Sequence, residues 1–222
     1  MSDQFNQLLQ SIVGNDAFKV GALISQEPDL VKTRDEEGRT PILLALYFRQ
    51  EPLAQLIRER TEAPDLFEAA ALGETDLVKE LLPEAPEGAQ TVAPDGFTIL
   101  GLAVYFGRLE TTKFLLESGA MPNTSSANQF KVWPIHSASA HRDPAISHDL
   151  IKLLLDFKAD PNVAQAGGWT PLHQAAAHGR EESAKLLLEH GASLSVKSDD
   201  GRTPLEMARA KGHDALEALL GG

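Results

Sequence analysis

Seven histidines and an excess of carboxylates are the residues here that could bind a metal or move a proton. His136 and His173 close two related tetrapeptides, Trp133-Pro134-Ile135-His136 and Thr170-Pro171-Leu172-His173. His141 and His178 each follow five residues later. His148, His190 and His213 read as surface or helix-end residues, where a partly protonated imidazole suits the helix dipole. A zinc site needs further ligands at short spacing, and no nearby residue supplies a third. The chain has no cysteine, which excludes disulfides, thiolate catalysis and Cys-based zinc sites. HExxH, Walker A, GxSxG and EF-hand sequences are absent. Nothing places two carboxylates in an acid–base pair. The expectation is a chain with no catalytic residue, no metal and no cofactor, and so not an enzyme.

What recurs is a segment pattern. Thr170-Pro171-Leu172-His173 opens the run GWTPLHQAAAHGREESAKLLLEHGAS, and 33 residues later Thr203-Pro204-Leu205 opens GRTPLEMARAKGHDALEALL. Related runs begin near Trp133, Thr98 and Thr40, and a degenerate copy begins at Asp65. Each part has a physical role. The Thr170 hydroxyl can cap a first helix, and Pro171 suits its first position. Ala175, Ala176 and Ala177 keep that helix thin, so neighbours can approach, and Gly179 can end it in a left-handed turn. Leu186, Leu187 and Leu188 bury a second helix, and Asp199-Asp200-Gly201 turns the chain into the next copy. Each helix pair leaves apolar faces uncovered, so stacking must build the core.

The spacing also marks irregularities. Thr98 to Trp133 is 35 residues, and Pro134 to Pro171 is 37. The extra four in the second case are expected within HRDPAISHD, between the two helices, with Pro144 rebuilding the turn. Thr40 to the equivalent Pro64 is only 24. The junction RERTEAPDL is too short for a protruding hairpin, so a gap in the hairpin row is expected there.

These segments resemble the ankyrin repeat family over nearly the whole chain. The resemblance is strongest over 168–222, clear over 96–162 and weaker before that. It implies an all-α solenoid of about seven stacked helix-turn-helix pairs joined by hairpin loops, or fingers. The pairs fall near 4–31, 40–60, 64–83, 98–119, 133–159, 170–190 and 203–220. Residues 1–222 then form a single domain, with an N-terminal cap over about 1–37, repeats over about 38–200 and a C-terminal cap over about 201–222. The resemblance makes His136 and His173 structural, hydrogen-bonding within and between fingers. His141 and His178 fall on successive repeats, about 10 Å apart at usual helix-packing distance, too far to share a zinc.

The resemblance also implies binding of a partner protein through a concave face of finger tips and first-helix surfaces. The finger residue before the threonine position is Arg39, Phe97, Val132, Trp169 or Arg202. The first helices end in Tyr47 and Phe48, Ala71 and Leu72, Tyr105 and Phe106, Ala140 and His141, Ala177 and His178, and Ala210 and Lys211. Phe130 lies in the finger before Trp133. Both tyrosines and one of the two tryptophans therefore map to partner-facing positions. Exposed aromatics are enriched in binding hot spots. The expected partner-binding residues are Tyr47, Phe48, Phe97, Tyr105, Phe106, Phe130, Trp133, His141, Trp169, His178 and Arg202, centred on 97–106, 130–133 and 169. The competing reading has these rings packing between first helices or bracing fingers, Trp133 above all. Phe5, Phe18, Phe67, Phe114 and Phe157 read as core or end-cap residues.

Net charge is −12, with −10 in residues 1–111 and −2 in 112–222. From Glu59 to Glu87, nine acids face only Arg60 and Lys79. Such a surface repels phosphates, so direct nucleic-acid binding is not expected, whereas a basic partner would be steered in. A dedicated inhibitor or immunity protein that blocks a toxin or enzyme is the alternative to a scaffolding or regulatory module. The start, MSDQFNQLLQ, lacks the basic and apolar regions of a signal peptide. No apolar run reaches the roughly 18 residues of a membrane span. A monomeric cytoplasmic protein is the expectation. The sequon Asn123-Thr124-Ser125 reads as a chance match.

Overall fold

The computed structural model describes residues 3–83 and 88–222; Glu84 and Glu87, the last acids of the 59–87 stretch, lie outside them. The chain divides into two compact units, Met1–Leu81 and Leu82–Gly222. The first holds α1 (Asp3–Val13), α2 (Ala17–Gln26), a 3-10 turn at Pro28–Lys32, α3 (Pro41–Tyr47), α4 (Glu51–Arg58), α5 (Leu66–Leu72) and α6 (Thr75–Leu81). The second holds a 3-10 turn at Gly88–Gln90, α7 (Ile99–Tyr105), α8 (Leu109–Glu117), α9 (Pro134–Ser139), α10 (Pro144–Asp156), α11 (Pro171–Ala177), α12 (Glu181–Glu189), α13 (Pro204–Lys211) and α14 (Asp214–Gly221). Among the described residues the isolated β-bridges amount to one antiparallel pair, Val92 with Thr98.

The helices begin where the caps dictate. Thr40, Thr98, Thr170 and Thr203 each accept, through the hydroxyl, a hydrogen bond from a backbone N–H in the first turn. Asp65 does the same for α5 and is answered by Glu68 in a capping box. Each such cap contributes about 1 kcal/mol. Proline occupies the first turn of α3, α9, α11 and α13, where its missing N–H costs nothing. Trp133 stands at the cap of α9 and makes no side-chain cap bond.

Burial explains the stacking. Six consecutive residues of α3, Pro41–Leu46, are buried, and so are Ile99–Val104 of α7 and all of α9. These short first helices are covered on nearly every side. Within the second unit α7, α9, α11 and α13 pack in sequence, and α8, α10, α12 and α14 pack behind them. In the first unit α1, α3 and α5 form the corresponding row, with α2 and α4 behind. The second helices are amphipathic. In α10 the buried face is Ser147, Leu150, Ile151, Leu154 and Leu155; in α12 it is Ser183, Ala184 and Leu187. Leu186 and Leu188 are half-buried, so the leucine triplet straddles the edge of the core rather than filling it.

Fingers connect the pairs. Their turns each close through one backbone bond, the N–H of Asp35, Ala93, Ser126, Gln165 and Ser198 donating to the C=O of Arg39, Phe97, Val132, Trp169 and Arg202 respectively. In the second unit successive fingers are also laced together: Ala127 donates to Gly96, Ala166 to Phe130 and Asp199 to Gly167, at 2.7–3.0 Å. Residues 59–65 run from α4 to α5 without such a hairpin. Arg34 reaches Asp65 there at 2.6 Å, and Arg58 grips Glu74 at 2.8 Å.

Two expectations need correction. The four extra residues of the repeat after Pro134 do not lengthen the turn. They lengthen the second helix: α10 has 13 residues where α8 and α12 have nine. Pro144 starts that helix behind an Asp143 cap. Phe18 is not a core residue, for it is 89% exposed. The buried face of α2 is Val20, Leu23 and Ile24, and Phe18 points to the other side.

Candidate partner-binding face

The predicted residues fall into separate groups. Tyr47 and Phe48 end α3 in the first unit. Tyr47 is half-buried under Arg39, whose guanidinium carbon stands 5.8 Å from the ring centroid, a cation–π distance. Phe48 is 48% exposed. In the second unit Phe97, from a finger, meets Tyr105, from the end of α7, at 5.9 Å between ring centroids. Tyr105 meets Phe106 edge-on at 5.0 Å. These three rings form one cluster, with Tyr105 38% exposed. Phe130 is more open still, at 58%, beside a left-handed Lys131 at the finger tip.

Other members are tied to the scaffold. Trp133 is half-buried, and its indole N–H donates to the Ala164 carbonyl of the next finger at 3.2 Å. The Trp169 ring lies 6.4 Å from the His173 ring rather than against another predicted aromatic. Arg202 is exposed and holds Asp200 through its Nε at 2.8 Å. His178 is exposed at the end of α11; residual burial, then the charges of Arg180, Lys211 and His213, hold its pKa below the ordinary imidazole value. His141 is half-buried against Gly107 of the preceding repeat, where a Cβ would come within 2.7 Å of its Nε2. Gly107 has φ +74°, so glycine serves both the turn and this approach.

His136 and His173 are buried and do the same work with different support. The Nε2 of His136 bonds the Trp169 carbonyl at 2.7 Å, and that of His173 bonds the Arg202 carbonyl at 3.0 Å. A carbonyl only accepts, so Nε2 carries the proton and each ring fastens its first helix to the next finger. The other nitrogen must then accept. In His173 it faces the Thr170 hydroxyl at 2.8 Å. In His136 it has no partner, because Trp133 stands where that threonine would be. Burial holds His136 down to about 4 and lowers His173 as well, so both rings are neutral at neutral pH. Glu68 occupies the equivalent position of α5. It is buried, and its carboxyl is pushed above the ordinary range by desolvation, against the opposing hydrogen bonds of Thr40 and the Asp65 amide.

Two sets of contacts escaped sequence reasoning. Arg180, at the start of α12, donates to the His141 carbonyl at 3.1 and 2.8 Å and to the Arg142 carbonyl, placing a cation at the end of α9 where the helix dipole favours it. His213 reaches the Ala177 carbonyl from the corresponding place in the next repeat, at 3.3 Å. Three side-chain amides bridge successive loops. Gln90 bonds the Gly119 carbonyl and the Met121 amide; Asn123 bonds Lys158 and Asp160; Asn162 bonds Gly191 and Ser193. The recurrence of Pro-Asn at 122–123 and 161–162 was the available signal. The sequon asparagine is therefore part of this ladder, its amide nitrogen donating to Lys158 at 2.8 Å.

Among the described residues no group of three His, Asp or Glu could hold a metal ion, and no helix is long and apolar enough to cross a membrane.

The family model for a single ankyrin repeat matches residues 95–127, and the model for a three-copy array matches residues 135–222. The chain belongs to the ankyrin-repeat family. Its paired helices, stacked in two rows, are those of the all-α ankyrin solenoid, and His136 and His173 join ankyrin fingers to first helices. A probable 26S proteasome regulatory subunit, p28, of Saccharomyces cerevisiae is 29% identical over 192 residues, spanning 80% of this chain and 81% of p28. An ankyrin repeat and SAM domain-containing protein 6 of Rattus norvegicus is 30% identical over half of this chain but only 12% of its own length. Alpha-latrocrustotoxin-Lt1a of Latrodectus tredecimguttatus is 28% identical over 49% of this chain and 8% of the toxin. The similarity to p28 thus extends over most of both proteins, whereas the other two match about half of this chain and a small part of their own length.

Proposed function

We propose that this ankyrin protein is a non-catalytic binding module whose partner protein seats on the concave side, across the finger tips and first-helix ends. The Phe97, Tyr105 and Phe106 cluster carries the reading. Tyr105, more than a third exposed, touches Phe97 on one side and Phe106 on the other, and such a chain of rings is the kind of aromatic anchor that dominates interface energetics. Phe130 and Trp169 extend the surface, with His141, His178 and Arg202 on its polar margin. Residues 1–222 act as one domain in this reading, capped over about 1–37 and 201–222, and the excess of acid in 1–111 steers a basic partner toward it. The similarity to p28 over 80% of this chain and 81% of p28 favours a role as a regulatory subunit of a 26S-type proteasome, where this chain would be scaffold or regulator.

The test uses purified 26S proteasome from the native host and the full chain. Wild type is expected to co-migrate with it at one-to-one stoichiometry. Tyr105→Ala combined with Trp169→Ala is expected to weaken capture at least tenfold, the loss of two hot-spot side chains of about 1 kcal/mol or more each, while helical content stays intact. Absence of wild-type binding would remove the proteasome assignment. A folded double variant that binds like wild type would show the rings to be structural.

A further inference from the structure

The additional turn of α10 builds a groove. In register on the leucines 153–155 and 186–188, the four residues that α12 lacks are Pro144–Ser147, at the N-terminal end. They add about 6 Å of helix. Pro144 and Ala145 line one side of a groove of about 510 Å³, and Gly179 with the start of α12 lines the other. Its surface is largely apolar, and three carboxylates stand on it: Asp149 from α10, and Glu181 and Glu182 from α12.

The charges do not cancel. Arg180 also lines the groove and keeps its positive charge, because the carbonyls of His141 and Arg142 that hold its guanidinium are neutral; one guanidinium against the three carboxylates still leaves the lining negative. Glu182 is paired with Lys185 at 2.6 Å. Asp149 and Glu181 are exposed, and no base stands within ion-pair distance of either among the described residues, although Lys185, paired with Glu182, also attracts Glu181 at longer range. The N-termini of α10 and α12 would by themselves favour an anion. Asp143 already accepts from the Ala145 and Ile146 amides of α10, and Glu181 and Glu182 fill the first turn of α12, so that potential is answered. What remains is an apolar trough with carboxylates at its edge, which suits a long aliphatic stem ending in a cation.

We infer that this groove receives a lysine or arginine side chain of a partner protein, its stem against Pro144, Ala145 and Gly179 and its cation at the carboxylates of Asp149 and Glu181. None of its lining residues belongs to the aromatic face, so its test is independent of that reading.

The probes are the capped tripeptides Gly-Lys-Gly and Gly-Arg-Gly, titrated to millimolar concentration into the full chain with nitrogen-15 labelling. Matched peptides with norleucine and with glutamate at the centre are the controls. Saturable amide shifts are expected at Ala145, His148, Gly179 and Glu181 with the basic peptides and not with the controls. Asp149→Asn with Glu181→Gln should weaken the binding about tenfold. Ala145→Arg, which supplies a cation from the chain itself, should abolish it while Asp149 and Glu181 remain. Shifts spread over other acidic surfaces, equal shifts with norleucine, undiminished binding by either variant, or no saturable shift at all would each overturn the inference. Tyr105→Ala with Trp169→Ala should leave these shifts in place.

Discussion

Acidification should weaken the second unit through His136, and the size of the effect follows from its surroundings. The ring is buried, lacks a partner at Nδ1, and keeps its neutral form down to about pH 4, against 6.5 for a free imidazole. Between those two values the unfolded chain binds more protons than the folded one, so stability rises with pH across the window. The contribution is complete above 6.5 and lost as the pH falls toward 4. A displacement from 6.5 to about 4 corresponds to about 3.4 kcal/mol in full, and about 2 kcal/mol of it is gone by pH 5. Both tryptophans, Trp133 and Trp169, lie in the second unit, so urea unfolding followed by their fluorescence reports on it directly. The comparison is wild type against His136→Gln, at pH 7.5 and pH 5.0. Glutamine can still donate to the Trp169 carbonyl but does not titrate in this range. The variant should start less stable, then lose about 2 kcal/mol less than wild type on acidification. Parallel losses in the two proteins would refute the argument, as would an imidazole of His136 that titrates near 6.5 by NMR.

Two further outcomes follow from the contacts between repeats. Thr170→Val removes both the cap of α11 and the hydroxyl that faces His173 Nδ1, and should cost about 2 kcal/mol in urea unfolding, about half from each; a loss below about 0.5 kcal/mol would show that the threonine is not the support described. Asn162→Ala breaks the bonds to Gly191 and Ser193 and should cost about 1 kcal/mol, with faster hydrogen exchange at the Ser193 amide as its local sign.

The helix starts were legible because threonine and proline have narrow roles at a helix N-terminus. The missing finger was legible too, since 24 residues from Thr40 to Pro64 leave no room for one. The four extra residues before Pro171 were harder. Pro144 is as well suited to a first helical turn as to a loop, so spacing alone could not choose, and the cap from Asp143 decides for the helix. Phe18 was misjudged by residue type. Its position two residues before Val20 turns it about 200° around the helix from that buried side chain, and periodicity outranks hydrophobicity there. At the candidate face the aromatic residues stood out in the sequence, but contact among Phe97, Tyr105 and Phe106 depends on how a finger folds over a helix end. Arg180 left no signal, because its partners are backbone carbonyls, which every residue has.

The amide ladder has a consequence for how the second unit comes apart. Each rung joins a loop only to the one that follows, from Gln90 to Met121, from Asn123 to Asp160 and from Asn162 to Ser193. No rung ties the first loop to the last. The arrangement behaves like a zip fastener: when α13 and α14 peel away from the C-terminal end, every earlier rung keeps both of its partners, and closing again needs only the neighbour already in place.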